Sequence, residues 1–262
     1  MADPSPQELL DFAESLAEIS GRILRRYFRT SVKVDAKEDA SPVTIADRET
    51  ETALREAIEA RYPDHGILGE EFGTTREQAR HVWVLDPIDG TKAFITGKPL
   101  FGTLIGLLRE GAPFLGVIDQ PILNERWTGI RGQKTLFNKR PAKTSANIEL
   151  AQAAMYSTTP HMFEGKDATA YGRLAGHVRY PLYGTDCYGY GLLAIGFADL
   201  VVEAQLKPYD FCPIVPIVEG AGGCMTDWQG APLGPASDGH VLAAANAGLH
   251  AKALAALVAR EE

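Results

Sequence analysis

The first sixty residues carry apolar side chains at the spacing of two amphipathic helices. Ser5, Pro6 and Glu8 show the pattern of a capping box with proline at the first helical position, which predicts that a helix begins here. The apolar residues that continue this helix to about Arg29 are Phe12, Leu16, Ile19, Ile23 and Tyr27. A second helix is predicted from Thr44 until Pro63 ends it, and its apolar positions are Ala46, Ala53, Leu54 and Ile58.

Short apolar runs separated by turn residues predict strands in the rest of the first half. Residues 81–85 form a buried strand that a proline-glycine turn closes. Residues 102–108 and 113–118 flank a Glu-Gly-Ala turn and predict a hairpin, and residues 125–131 predict another strand of that sheet. Residues 1–150 are therefore interpreted as an α+β half with antiparallel strands.

Residues 151–262 alternate between strand and helix patterns. The predicted strands are 154–157, 178–180, 200–203, 223–226 and 241–244, and the predicted helices are 166–176, 186–197, 210–220 and 249–260. From Leu192 to Phe197 the chain is apolar on nearly every side, which indicates a helix between two layers. We expect this α/β half to close the site of the first half, so that both form one compact catalytic unit.

The composition is that of a globular protein with an acidic balance. Of 262 residues, 45% are hydrophobic, and 26 basic against 34 acidic residues give a net charge of −8. An acidic chain without a long basic run is a poor partner for nucleic acid. A phosphorylated substrate would need cations between itself and such a protein.

The sequence shows no targeting or membrane-spanning pattern. The N-terminus lacks the basic and apolar regions of a signal peptide, and no stretch approaches the roughly 20 apolar residues that cross a bilayer. Cys187, Cys212 and Cys224 are odd in number and form no CxxC pair, so we interpret them as small buried hydrophobic residues. These features predict a cytoplasmic protein with no membrane partner.

Residues 83–91 carry the most informative chemical pattern. A buried strand delivers Asp86 and Asp89 into a turn, and the amide groups of Gly90 and Thr91 follow at a predicted helix start, where an anion can bind. Carboxylates beside such a site would repel a phosphate unless divalent ions lay between them, and oxygen ligands favour Mg²⁺. The alternative is an ordinary surface turn, which uses the same residue types.

Three other acidic residues could complete such a site. Glu70 follows a short apolar run, Asp210 precedes a predicted helix in the second half, and Asp47 lies three residues after Thr44. Each has a structural alternative: a solvated acidic loop for Glu70, a helix N-cap for Asp210, and a capping pair with Thr44 for Asp47.

In combination these motifs resemble the inositol monophosphatase superfamily of lithium-sensitive, Mg²⁺-dependent phosphatases. The matching residues, in order, are Gly69-Glu70-Glu71, Asp86-Pro87-Ile88-Asp89-Gly90-Thr91, and Asp210 with Glu219-Gly220-Ala221-Gly222-Gly223 behind it. The resemblance runs from about Lys37 to Asp227. It implies an α+β fold of the sugar phosphatase type, a layered α-β-α-β-α sandwich that usually forms a homodimer.

Within the superfamily the chain is most similar to the histidinol-phosphate phosphatases of the inositol-monophosphatase-like type. The supporting stretches are residues 37–44, 96–99, 118–121, 185–190 and 206–210. Inositol phosphatases usually carry a small apolar residue where Asp186 stands and a tryptophan where Tyr209 stands. Both departures argue against inositol phosphate and imply hydrolysis of histidinol phosphate, a step of histidine biosynthesis.

The resemblance also implies a set of metal ligands. Glu70, Asp86 and the backbone carbonyl of Ile88 would hold one Mg²⁺, and Asp86, Asp89 and Asp210 would hold a second. A third, weaker ion would lie near Glu70. Two ions that hold the entering and departing oxygens act where charge develops in phosphate hydrolysis.

The same resemblance implies how water and phosphate are bound. Thr91, held by Asp47, would orient the attacking water and help to deprotonate it, and the amides of Gly90 and Thr91 would bind the phosphate. The sequence offers no obvious nucleophile for a phosphoenzyme.

Asp186 and Glu203 are the candidates for recognising the leaving group. Histidinol phosphate carries a protonated amine and an imidazole, and a carboxylate beside them would favour a cation. Asp186 has an alternative as a helix N-cap before Cys187, and inositol phosphatases resemble this chain at Glu203. The other residues expected to contact the substrate are Glu70, Gly90, Thr91 and Asp210.

Two alternatives stay open at this point. Another phosphatase of the superfamily would act on inositol phosphate, a bisphosphate nucleotide or fructose bisphosphate; a bisphosphate needs a second basic pocket, for which only Lys207 and the pair Lys139-Arg140 are candidates. A non-catalytic regulator that binds Mg²⁺ or phosphate would keep the ligands and lack turnover.

Overall fold

The computed structural model describes residues 3–31, 34–36 and 42–258. The α-helices are α1 (Pro6–Tyr27), α2 (Ile45–Arg61), α3 (Thr91–Ile95), α4 (Gly165–Ala175), α5 (Cys187–Ala194), α6 (Pro208–Phe211), α7 (Val215–Gly220) and α8 (Ala247–Val258). The strands are β1 (Val34–Ala36), β2 (Pro42–Thr44), β3 (Gly66–Gly69), β4 (Gly73–Thr75), β5 (His81–Asp89), β6 (Gly102–Arg109), β7 (Ala112–Gln120), β8 (Glu125–Ile130), β9 (Leu136–Phe137), β10 (Arg140–Pro141), β11 (Ala154–Ser157), β12 (Tyr180–Tyr183), β13 (Leu200–Glu203), β14 (Cys224–Thr226) and β15 (Val241–Ala244). Short 3₁₀ helices lie at Leu150–Gln152 and Pro160–Met162.

These elements stack in five layers, α-β-α-β-α. Helices α1 and α2 pack on one face of an eight-stranded sheet, α5, α6 and α7 lie between the two sheets, and α4 and α8 cover the outer face of a five-stranded sheet. The strand orders are β10-β9-β8-β7-β6-β5-β3-β4 and β12-β11-β13-β15-β14. The predicted layered α+β sandwich is confirmed.

Strand β5 shows why an apolar run becomes a central strand. Val82 and Val84 face the core between the sheets, whereas Trp83 and Leu85 face the core under α1 and α2. Successive side chains of a strand point to opposite faces, so a strand buried on both faces reads as a continuous apolar run. The strand continues past the predicted residue 85 to Asp89, and its pairing with β6 is irregular between Asp86 and Asp89.

The two N-terminal helices begin as predicted. Ser5 Oγ accepts a hydrogen bond from the amide of Glu8 at 3.2 Å, and the Glu8 carboxylate accepts one from the amide of Ser5 at 2.8 Å. Thr44 caps α2 through its hydroxyl, which accepts from the amide of Ala46 at 3.0 Å. Both helices bury one face against the large sheet, as their apolar spacing requires.

Several predicted boundaries are wrong. The predicted strand 178–180 is β12, which lies two to three residues later at an exposed sheet edge, where burial imposes no clear pattern. The predicted helix 210–220 is interrupted by a turn at residues 212–214, because Pro213 and Pro216 lack the amide that a continuous helix needs. Helix α5 ends at Ala194, before the predicted 197. Residues 37–41, which support the resemblance, and the predicted end of the last helix lie outside the described residues.

The segment from α6 to α7 lies directly on the large sheet at glycine positions. A Cβ atom added to Gly116 would lie 1.6 Å from the carbonyl oxygen of Pro213, and one on Gly129 would lie 2.6 Å from that of Pro216. Any larger residue at either position would displace the segment. The contact brings α6, and Asp210 with it, against β5.

No helix in the described part of the chain combines enough length with enough apolar character to cross a bilayer. The division of the chain near residue 150 stays a prediction.

Candidate active site

Three carboxylates from two distant parts of the chain meet at the end of β5. Asp86 and Asp89 come from β5 and Asp210 from α6, and one oxygen of each lies within 4.8 Å of the others. Asp86 is 2% exposed, and the other two are half-buried. We call these three residues the ligand cluster.

The ligand cluster holds like charges close together. Burial raises the pKa of Asp86 well above its usual value, and the charges of Glu70, Asp89 and Asp210 raise it further. Burial also raises the pKa of Asp210 to about 8, although the amide of Lys207 donates to its carboxylate at 2.7 Å. A divalent cation would relieve this repulsion, and an all-carboxylate donor set suits Mg²⁺. The residues present therefore fit a magnesium site.

Backbone amides hold the carboxylates of β5 in place. Asp86 Oδ1 accepts from the amide of Ile88 at 3.0 Å, and Asp89 Oδ2 accepts from the amide of Cys187 at the start of α5. The second bond ties the end of the large sheet to the layer between the sheets. The carbonyl of Ile88, a predicted ligand, accepts from the Thr91 hydroxyl at 3.1 Å.

The turn after β5 leads directly into the start of a helix. Gly90 has a φ of 89° and a ψ of 39°, a left-handed conformation that favours glycine, and α3 begins at the next residue. A Cβ atom on Gly90 would lie 3.1 Å from the carboxyl carbon of Asp186. The predicted helix start at Thr91 is confirmed, and Asp186 lies directly beside this turn.

Asp47 and Glu70 flank the ligand cluster. Asp47 is 1% exposed; its Oδ2 accepts from the amide and the hydroxyl of Thr44 at 2.7 and 2.6 Å, and among the described residues its Oδ1 has no hydrogen-bond partner. Burial raises the pKa of Asp47, and the charge of Glu70 adds to the rise. The structure does not pair Thr91 with Asp47, because the Thr91 hydroxyl donates to Ile88.

Asp186 does not behave as the helix N-cap of the alternative interpretation. It precedes α5 with a φ of 47° and a ψ of −140°, and its side chain makes no capping hydrogen bond. Burial raises its pKa to about 6, while the charges of Lys98 and Lys92 and a hydrogen bond with Thr158 oppose the rise. Strained backbone of this kind is concentrated at functional sites.

Glu203 is buried and has hydrogen-bond partners on both carboxylate oxygens. It is 3% exposed; its Oε1 accepts from the amide and hydroxyl of Thr158 at 2.9 and 2.5 Å, and its Oε2 accepts from the hydroxyl of Tyr190 at 2.8 Å. Burial nevertheless raises its pKa. The structure places Thr158 between Glu203 and Asp186, a position that no sequence motif indicated.

Fold and site together define a phosphatase with an acidic cluster that could bind a metal ion. The sequence profile of the inositol monophosphatase family matches residues 5–262, and this chain belongs to that family. The superfamily indicated by the motifs is thereby confirmed.

Individual relatives extend over nearly the whole chain. The bifunctional phosphatase IMPL2 of Arabidopsis thaliana, a chloroplastic protein, is 48% identical and covers 98% of this chain and 79% of its own length. The histidinol-phosphatase of Chlorobaculum parvum is 38% identical and covers 95% of this chain and 96% of its own. The solved structure of an inositol monophosphatase from Zymomonas mobilis is 45% identical, with a TM-score of 0.89 over 97% of this chain and 99% of that one.

Proposed function

We propose that this protein is a Mg²⁺-dependent phosphatase that hydrolyses histidinol phosphate to histidinol and phosphate. Asp186 carries this proposal, because a half-buried carboxylate is held in strained backbone beside the phosphate turn without serving as a helix cap. Such a group suits a leaving group with a positive charge. The histidinol-phosphatase of Chlorobaculum parvum, at 38% identity, supports the same substrate.

The ionisation of Asp186 agrees with a cationic partner. With a pKa of about 6, the carboxylate is mostly charged at neutral pH. The amine of histidinol is protonated at that pH, and an imidazole has an ordinary pKa of about 6.5. A protonated amine or imidazole would therefore meet a negative charge beside the departing oxygen.

Mg²⁺ is the proposed cofactor, with two to three ions implied by the family resemblance. The ligand cluster, Glu70 and the carbonyl of Ile88 would hold them. When bound, such ions stabilise the charge on the entering and departing oxygens and make water more acidic. The amides of Ile88, Cys187 and Lys207 donate hydrogen bonds that orient the carboxylates of the ligand cluster.

Thr91 and Asp47 are the proposed pair that orients the attacking water. The unpartnered Oδ1 of Asp47 is the oxygen that would accept from the Thr91 hydroxyl, once that hydroxyl leaves the carbonyl of Ile88. The Thr91 oxygen could then accept a proton from water while its own proton passes to Asp47. In the reaction the water oxygen bonds to phosphorus, the bond from phosphorus to the ester oxygen breaks, and the departing oxygen takes up a proton from a second water.

The amides of Gly90 and Thr91 are proposed to bind the phosphate, and Asp186 and Glu203 to form the leaving-group side. Asp186 would contact the substrate. Glu203, with both oxygens already bonded to Thr158 and Tyr190, would act by holding Thr158 beside Asp186. Glu70 and Asp210 would face the substrate through the bound ions.

A homodimer in the cytoplasm completes the proposal. The family resemblance supports the dimer. Size-exclusion chromatography with light scattering should give a mass twice the chain mass of 28.4 kDa. The cytoplasm stays a prediction, since the Arabidopsis relative is described as chloroplastic.

A phosphate-release screen tests the substrate. The four esters are histidinol phosphate, inositol 1-phosphate, a bisphosphate nucleotide and fructose bisphosphate. We expect the highest kcat/KM for histidinol phosphate. Excess chelator should abolish phosphate release from all four. Inositol phosphate is the second candidate, because the Zymomonas mobilis protein is an inositol monophosphatase. A preference for it would overturn the substrate and keep the metal-dependent phosphatase. No release from any ester would indicate the non-catalytic regulator.

A further inference from the structure

Helix α2 carries a second buried carboxylate, Glu51, one turn after Asp47. Glu51 is 0% exposed and Asp47 is 1% exposed. Residues four apart lie on the same face of a helix, so both carboxylates point from α2 toward the same side. The roles proposed above use Asp47 and leave Glu51 without a function.

The carboxylate of Glu51 holds the turn between β3 and β4. Its Oε2 accepts from the amide of Glu71 at 2.7 Å, and its Oε1 accepts from the amide of Phe72 at 3.1 Å. These are the first two amides after Glu70. Charge-assisted bonds to consecutive amides fix the path of the backbone that leaves Glu70.

Arg55 completes this arrangement from the next turn of the helix. Its Nε donates to Glu51 Oε1 at 2.7 Å, and its guanidinium also donates to the carbonyl of Gly73 at the far end of the turn. The side chains of the pair are 13% and 0% exposed. A buried carboxylate needs such a partner, and here the partner also binds the turn.

Gly69 leaves the room that Glu51 needs. A Cβ atom on Gly69 would lie 2.0 Å from Glu51 Oε1 and 2.5 Å from its carboxyl carbon. The glycine that precedes Glu70 therefore lets a carboxylate from α2 reach the amides that follow Glu70. This contact gives a physical reason for the first residue of the Gly-Glu-Glu motif.

We infer that Glu51 is a positioning residue that holds Glu70 for Mg²⁺. The inference rests on the proposed function, since it takes Glu70 as a metal ligand. Groups that orient a ligand without touching the metal typically account for 10- to 100-fold in metal affinity. A purely structural carboxylate would change stability and leave that affinity as it is.

The variant Glu51→Gln tests the inference on the full chain. One carboxylate oxygen becomes an NH₂ group, so that a donor faces a backbone donor. We expect calorimetry without substrate to give a Mg²⁺ dissociation constant raised by about 10-fold or more. The Mg²⁺ concentration for half-maximal phosphate release should rise by the same factor, and kcat at saturating Mg²⁺ should change much less.

Glu49→Gln is the matched control on the same helix. Glu49 is bound by Arg26 and by the Tyr27 hydroxyl, on the side toward α1. This variant should bind Mg²⁺ as the wild type does. An unchanged Mg²⁺ constant in Glu51→Gln, with only a lower Tm, would overturn the inference, as would equal effects in both variants.

A double-mutant cycle with Glu70→Gln shows whether Glu51 acts through Glu70. If it does, the double variant should bind Mg²⁺ no more weakly than Glu70→Gln alone, because the effects of coupled residues do not add. Additive losses would contradict the inference. If Glu51→Gln does not fold, Arg55→Met is the second variant, because it keeps the Glu51 carboxylate and removes the hydrogen bond to Gly73. This variant should also raise the Mg²⁺ dissociation constant. An unchanged dissociation constant would then count against the inference. A wild type that neither binds Mg²⁺ nor releases phosphate would instead refute the proposed function.

Discussion

Buried carboxylates near the turn after β5 are stabilised in two different ways. One set is the ligand cluster, and the other is Glu203 with its hydrogen-bond donors Thr158 and Tyr190, which we call the group around Glu203. In the ligand cluster, burial strongly raises the pKa values of Asp86 and Asp210, and the charges of neighbouring carboxylates raise them further. Glu203 is buried as deeply as Asp86, yet each of its oxygens accepts hydrogen bonds from Thr158 or Tyr190. Burial alone therefore does not distinguish the two: Glu203 accepts hydrogen bonds on both oxygens, whereas the carboxylates of the ligand cluster each accept an amide hydrogen bond and lie close to one another.

The difference has a direct energetic meaning. A buried carboxylate that accepts protein hydrogen bonds on both oxygens keeps most of the stabilisation that water supplied. Such a carboxylate needs no bound ion to stay buried. Carboxylates that face one another stay ionised only at a cost, unless a cation joins them. The ligand cluster should respond to metal, and Glu203 with its donors Thr158 and Tyr190 should not.

The largest expected effect comes from removing one charge of the ligand cluster. Asp86→Asn should abolish turnover, at least on the scale of the roughly 10²- to 10³-fold losses that follow removal of one transition-state stabilising group. Repulsion falls in the same variant, so its metal-free form should melt slightly above the metal-free wild type. Kinetics and melting curves in chelator check both, and full activity of the variant or of chelated enzyme would exclude the two-metal proposal.

Water activation gives the next largest effect. Thr91→Ala should lower turnover by roughly 10²-fold or more, the scale of a lost general-base partner, with Mg²⁺ affinity little changed. Asp47→Asn should resemble it if the two residues act as a pair. If calorimetry shows that either variant has lost Mg²⁺ binding, the substituted residue is a metal ligand and does not activate the water.

Asp186→Asn measures how far the leaving-group side discriminates between substrates. Charge-assisted hydrogen bonds contribute about 1.5–3 kcal/mol, so kcat/KM for histidinol phosphate should fall by roughly 10- to 100-fold. Glycerol phosphate, which lacks the cation, should change by less than about threefold. Equal losses on the two esters, or none on either, would show that Asp186 does not recognise the substrate.

The pH dependence of the metal-free protein should reveal the raised pKa of Asp210. The pKa of Asp210 is raised from 3.8 to about 8 in the folded state, so its protonated form contributes stability that is complete below about pH 3.8 and is lost as the pH rises through 8. In chelator, the Tm of the wild type should therefore fall between pH 5 and 8 relative to that of Asp210→Asn. Saturating Mg²⁺ should remove this difference, and parallel melting curves in chelator would contradict the assignment.

The smallest effect is expected in the group around Glu203. Tyr190→Phe removes one donor and leaves a buried oxygen unsatisfied, which costs about 1–3 kcal/mol. Unlike Asp86→Asn, this variant should melt below the wild type with and without Mg²⁺. If chelator abolished the difference, Glu203 would belong with the metal site.

Much of the fold follows from local patterns. The capping boxes at Ser5 and Thr44 and the two-sided apolar run of β5 each depend on residues a few positions apart, so the sequence suffices to predict them. The continuous helix predicted over 210–220 and the position of β12 are the main errors. In one case two prolines interrupt an apolar pattern, and in the other an exposed edge imposes none.

By itself, the sequence determined the family, because the charged motifs depend on residue types in a fixed order, and the resemblance to that family implied the five-layer architecture. Only the tertiary structure showed how close the expected ligands lie to one another and which buried carboxylates already accept hydrogen bonds on both oxygens. Asp210 lies close to Asp86, although more than a hundred residues separate them along the chain. Glu203 accepts hydrogen bonds from Thr158 and Tyr190, and Glu51 accepts one from the turn after Glu70. Electrostatic and hydrogen-bond energies depend on distance in space and on removal from water, and neither can be read from separation along the chain.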